Sequence, residues 1–155
     1  MNNRFMNIAI ELSIENVRSN KGGPFGAVIV KNNEIIATGV NQVTATNDPT
    51  AHAEMVAIRN ACKALQSFQL IDCHIYTSCE PCPMCFGAIF WARPSIVYFA
   101  NTAHDAAKIG FDDHFIYEQL ACSSEQRSIP FKHIVCDDAL KAFELWQKNK
   151  DKINY

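Results

Sequence analysis

Two short motifs thirty residues apart, Thr50-Ala51-His52-Ala53-Glu54 and Pro81-Cys82-Pro83-Met84-Cys85, limit this chain more than any other part of it. Asp48-Pro49-Thr50 reads as a helix start with Asp48 or Thr50 as cap, and Pro81 fits the first turn of a second helix. Cys82 and Cys85 stand three apart, so both sulfurs face the same point. A helix N-terminus favours thiolate over thiol, because its free N–H groups stabilise negative charge. An imidazole and two sulfurs suit a tetrahedral Zn²⁺ with its fourth corner left for water, one ion per chain. Any fold this chain adopts must therefore aim two helix starts at one ion.

Glu54, two positions after His52, cannot share the direction of the histidine, yet it stays within the same turn. That offset puts a carboxylate beside the ion rather than on it, where it can take a proton from water and deliver it elsewhere. A purely structural zinc site would show a fourth Cys or His and would have no use for this carboxylate. Cys79 shares the spacing of a ligand with Cys82 but sits in the turn leaving a strand. Cys62 fits a core stripe, and Cys73, Cys122 and Cys136 have no partner spacing.

Periodicity places these motifs in an α/β frame. Phe5, Ile8, Ala9 and Leu12 recur at helical spacing, which predicts an opening helix that ends before Gly22-Gly23-Pro24. Residues 27–30 and 35–40 form a predicted hairpin around residues 31–34. The His52 helix is expected to pack Met55, Ile58, Cys62 and Leu65 inward. A strand at 74–77 precedes the Pro81 helix, whose apolar face is read as Phe86, Ile89 and Phe90 and which Pro94 stops. Strands at 96–100 and 131–136 and a closing helix at 139–148, carrying Leu140, Phe143 and Trp146, complete the reading; residues 101–128 stay unassigned. The expected architecture is a three-layer α-β-α sandwich around a central five-stranded mixed sheet, in which strands joined by a helix run parallel.

The chain of 155 residues suits a single domain, 1–155. Its formal net charge of -2 shows no basic excess of the kind that grips a phosphate backbone. No apolar run is long enough for a membrane span, and residues 1–7 do not read as a signal peptide. Seven cysteines, clustered as they are, are expected in a reducing cytoplasm, where they serve metal or catalysis more often than disulfides.

T-A-H-A-E followed by E-P-C-P-M-C resembles the cytidine deaminase superfamily, and within it the branch that holds bacterial guanine deaminases and tRNA adenosine deaminases. The tracts G-G-P-F-G-A-V-I-V, N-D-P-T-A-H-A-E and T-S-C-E-P-C-P-M-C-F-G-A-I-F-W-A-R-P, with G-F-D-D-H-F-I-Y at 110–117 and the terminal Tyr155, resemble the guanine deaminases. The zinc motif is shared across the branch, so the choice of substrate rests on 110–117 and the tail. The resemblance implies a cytidine deaminase-like fold and the reaction of guanine with water to give xanthine and ammonia. Glu54 would move protons to N3 and to the departing amine.

The resemblance also implies further site residues. Asn41 offers its amide to the base, although Asn is also common at strand ends. Asp113 serves the 2-amino group, with Asp112 as its competitor and helix capping as the plain alternative. Phe25 and Trp91 either wall the flat base or pack the core. Tyr155 closes the pocket as part of a 149–155 lid, or as a tail exchanged between the subunits of a homodimer. The expected partner is a small purine base, with neither membrane nor nucleic acid. The rivals are a tRNA adenosine deaminase, a cytosine-type deaminase acting on a pyrimidine and a non-catalytic zinc-binding interaction domain.

Overall fold

In the computed structural model, which describes residues 3–155, the chain runs α1 (Arg4–Arg18), β1 (Gly26–Lys31), β2 (Glu34–Val40), α2 (Val43–Thr46), α3 (Ala53–Leu65), β3 (Cys73–Cys79), α4 (Pro83–Ala92) and β4 (Ile96–Asn101), then α5 (Ala103–Lys108), α6 (His114–Ala121) and α7 (Lys141–Lys148). The sheet has the order β2-β1-β3-β4. β1 pairs antiparallel with both β2 and β3, while β3 and β4, joined by α4, are parallel as expected. Asn32 and Asn33 turn the hairpin, both at positive φ (51° and 65°), the backbone that a tight two-residue connection requires and that Asn tolerates.

β1 is buried on both faces, and its alternation builds two cores. Ala27 and Ile29 point with Ile75 toward Ala57, Ile58 and Ala61 of α3 and Ile89 of α4. Val28 and Val30 point with Tyr76 toward Phe5 and Ala9 of α1. These are the three layers: α3 and α4, the sheet, and α1. Ile29, Leu70 and Ile75 have no exposed surface. Each such side chain stabilises the fold by about 1.5–3 kcal/mol.

Several expectations need correction. The sheet among the described residues has four strands, not five: residues 131–136 form no ladder, and Ile134 and Val135 are exposed. A β-rich run becomes a strand only where an edge hydrogen-bonds to it. The buried residues of α3 are Ala53, Glu54, Ala57, Ile58 and Ala61, with Cys62 and Leu65 only partly buried beside them, because small alanines let the helix lie close on the sheet. On α4, Cys85, Ile89 and Ala92 are buried, whereas Phe86 and Phe90 are exposed and pack on each other with centroids 4.7 Å apart. The unassigned region holds α5, started by a reciprocal cap between Thr102 and Asp105, and α6.

The chain divides into two compact units, one ending at Asp113 and the other comprising His114–Tyr155. All the metal-motif residues lie in the first. No helix among the described residues is long and apolar enough to cross a membrane.

Candidate metal centre and active site

His52 and Cys82 are themselves the N-cap residues of α3 and α4, and both have extended backbone (φ -69°, ψ 157° and φ -64°, ψ 167°). Asp48 and Thr50 instead fold on each other, with the Thr50 hydroxyl donating to Asp48 Oδ1 at 2.7 Å, and Pro83 rather than Pro81 is the first helical residue of α4. Neither residue caps its helix in the usual way with a side-chain oxygen, and both side chains face the same point. Cys85 follows in the first turn of α4, fully buried.

The three candidate ligand atoms lie within 4.8 Å of one another. His52 Nδ1 is 3.5 Å from Cys82 Sγ and 3.6 Å from Cys85 Sγ. Zn–S bonds of about 2.3 Å and Zn–N bonds of about 2.0–2.1 Å in a tetrahedron separate S from N by about 3.6 Å. The residues present therefore fit zinc. Cys79 does not join them: its thiol donates to the Thr102 carbonyl at 3.6 Å. Burial, reinforced by the charge of Glu54, pushes that thiol up to about 11.

The protonation pattern of the ligands points the same way. A hydrogen bond from Cys85 draws Cys82 down to about 4, with further help from His52. Cys85 holds its proton more firmly than a free thiol, because it donates to Cys82 and is buried. The His52 ring is raised by its hydrogen bond with Cys82. Three groups share protons where a cation would replace them.

Glu54 is 5% exposed, in the first turn of α3. Burial holds its carboxyl above the ordinary value of 4.5. Its Oε1 accepts from the Thr77 hydroxyl at 3.2 Å, and its Oε2 lies 3.6 Å from Cys85 Sγ. The carboxylate therefore stands beside the ligands with one oxygen tethered.

Asn41 is buried and anchored on every backbone side: its N–H donates to the Phe25 carbonyl at 3.1 Å, and its carbonyl accepts from Asn16 Nδ2 at 2.9 Å. Its Oδ1 accepts from the N–H groups of Gly23 at 3.4 Å and Val43 at 3.3 Å. With the oxygen occupied by the backbone, the side chain has only its Nδ2 donor to present. Asn16, which the sequence reading missed, also donates to the Gly23 carbonyl at 2.9 Å and so ties both segments to α1. A polar residue inside the apolar stripe of α1 was the available signal.

Phe25 is half-buried and meets Phe111 edge-on, with centroids 4.9 Å apart, so Phe111 joins the candidate wall. Asp113 is half-buried and Asp112 exposed. Burial raises the Asp113 carboxyl, and the Cys82 charge adds to the effect. Trp91 is 64% exposed on α4, and Tyr155, in the second unit, is exposed.

An imidazole and two sulfurs at paired helix starts, with an unligated buried acid beside them, define a zinc-dependent hydrolase. Residues 1–101 match the family of the cytidine and deoxycytidylate deaminase zinc-binding region, and the chain belongs to that family. It is 53% identical to guanine deaminase of Bacillus subtilis over 151 residues, 97% of each chain. The X-ray structure of guanine deaminase from Bacillus subtilis superposes with a TM-score of 0.98 at 52% identity, covering 100% of this chain and 99% of that one. A guanine deaminase structure from Nitrosomonas europaea gives 0.68 at 32% identity, covering 73% and 65%. A tRNA-specific adenosine deaminase of Buchnera aphidicola is 33% identical over 128 residues, 82% of each chain.

Proposed function

We propose that this chain hydrolyses guanine to xanthine and ammonia, as a step of purine catabolism in the cytoplasm. What carries the reading is that the likeness to the Bacillus subtilis guanine deaminase runs over 97% of the chain at 53% identity, against 33% over 82% of the chain for the tRNA-specific adenosine deaminase of Buchnera aphidicola. The burial of Glu54 beside the ligand set weighs against a non-catalytic zinc domain. Seven cysteines, all free, support a reducing compartment.

His52, Cys82 and Cys85 hold the zinc, which when bound supplies Lewis acidity that brings the acidity of water close to neutral pH. Glu54 takes the proton from the attacking water and delivers it to N3 as oxygen bonds to C2. It then takes the remaining proton from the C2 hydroxyl and delivers it to the 2-amino group, the C2–N bond breaks, and ammonia leaves with C2 as a carbonyl carbon. Burial raises the Glu54 carboxyl and so makes it a better acceptor of that proton. Asp113, raised by burial, faces the 2-amino group and assists the proton transfer there. Asn41 Nδ2 donates to O6, the acceptor on the edge away from C2. Phe25 and Trp91 flank the ring plane.

The working unit is a homodimer in which the C-terminal segments are exchanged, each 149–155 tail closing the pocket of its partner. Two features support this. β4 is an edge strand with exposed apolar side chains, Phe99 among them, and residues 131–136 are a β-rich run without a ladder. α7 exposes Phe143 and Trp146, and its N-cap Leu140 is exposed beside them, an apolar set that needs cover.

The test of substrate is an ultraviolet assay of purified protein on guanine, adenine, cytosine and guanosine. Turnover of guanine alone is expected. Deamination confined to tRNA, with salt-sensitive binding, would assign the chain to the other arm of the family.

A further inference from the structure

Thr77 lies on the face of β3 that points to α3 and α4, in register with Cys73, Ile75 and Cys79. A strand buried on that face calls for an apolar β-branched residue, and Val would fill the same volume. The chain places a hydroxyl there instead, 1% exposed. A buried hydroxyl is costly unless it is bonded. This one donates to Glu54 Oε1 at 3.2 Å.

The bond makes the two oxygens of Glu54 unequal. Oε1 is held from the sheet, whereas Oε2 lies at 3.6 Å from Cys85 Sγ, on the side of the ligand set. A cysteine that ligates zinc is a thiolate and has no proton to donate, so in the loaded site Cys85 gives Oε2 no hydrogen bond. The Thr77 contact remains. Held by one oxygen, the carboxylate has one favoured rotamer about its terminal bond, which is otherwise broad and roughly two-fold.

We infer that Thr77 is a positioning residue for the deamination: its hydroxyl tethers Glu54 Oε1 and so reserves Oε2 for proton transfer. The inference rests on the proposed role of Glu54 as proton carrier. Thr77 touches neither ion nor base, and its effect runs through the orientation of one carboxylate.

The test compares Thr77→Val, Thr77→Ser and Glu54→Gln with the parent, each loaded with zinc. Thr77→Val is expected to lower kcat by about 10–100-fold, the scale of a misaligned proton transfer. Its KM should stay within about threefold, because ground-state binding of the base does not use Glu54. Zinc content should match the parent, and Thr77→Ser should recover most of kcat. A crystal structure of Thr77→Val should show the carboxylate rotated from its parent orientation. If Thr77→Val fails to fold, Thr77→Ala makes the same comparison.

Parent-like kcat in Thr77→Val overturns the inference. So does a loss of kcat that Thr77→Ser does not recover, a loss that follows zinc content, or an unrotated carboxylate. Near-parent turnover in Glu54→Gln would instead remove the role of Glu54 itself, whereas an inactive Glu54→Gln beside a parent-like Thr77→Val removes the role of Thr77 alone.

Discussion

Gly39 on β2 passes beneath Ala53 so closely that a Cβ at position 39 would stand 2.2 Å from the Ala53 carbonyl oxygen and 2.5 Å from the Ala57 nitrogen. Ala53 is the first residue of α3, between His52 and Glu54. The lack of a side chain on Gly39 therefore sets the height of the metal helix above the sheet. Gly39→Ala is expected to destabilise the fold by about 1–3 kcal/mol, as overpacking does. That lowers Tm by about 2–4 °C for each kcal/mol. It should also weaken zinc retention, since His52 would shift away from two sulfurs fixed on α4. Thermal melting and metal content after dialysis against a chelator check both effects.

Asn41 offers a second test, because its oxygen is already committed to the Gly23 and Val43 N–H groups. Asn41→Asp keeps an acceptor for those donors but replaces the free donor with a charged oxygen facing O6. Asn41→Ala deletes the donor and also leaves the Gly23 and Val43 N–H groups without that acceptor. Both should raise KM for guanine by about 10–100-fold, the worth of a lost buried hydrogen bond, with Asn41→Asp the worse of the two. Steady-state kinetics with equal zinc loading would show it.

Asp105 provides a pH prediction away from the metal. The Thr102 hydroxyl and N–H donate to it, at 2.7 Å and 3.1 Å, and hold its carboxyl well below the ordinary 3.8. A depressed carboxylate stabilises the fold above its unfolded pKa, and the contribution fades as pH falls through the lowered folded value. In an NMR titration Asp105 should titrate below its ordinary value in the parent and move upward in Thr102→Val.

The same helix ends explain what could be read from the residues alone. His52, Cys82 and Cys85 were legible because ligand chemistry demands those types at those spacings, and the structure brings all three together. The caps were misplaced because capping preferences are for side-chain oxygens, whereas an imidazole and a sulfur, those of His52 and Cys82, occupy the N-cap positions. The face of α4 was misread because that helix is apolar around its whole circumference, so periodicity cannot choose between Ile89 and Phe90. Residues 131–136 have the composition of a strand, but composition does not supply an edge to pair with. Asn16 and Thr77 act through contacts with residues far along the chain, which no local pattern encodes.

The exposed aromatic tail leads to a prediction about assembly. Removing residues 151–155 should leave zinc content unchanged while guanine turnover falls, since Tyr155 closes the proposed pocket. Sedimentation of the parent should give a dimer. Unchanged turnover in the shortened chain, or a parent that sediments as a monomer, would remove the exchanged tail from the account.

The most direct measurement is zinc content together with ammonia release from guanine, made side by side on the parent and on Glu54→Ala. One zinc per chain is expected in both proteins, with turnover in Glu54→Ala reduced by about 10²–10⁴-fold, the usual share of general acid–base catalysis. A parent without zinc, or a Glu54→Ala protein that releases ammonia near the parent rate, would contradict the account.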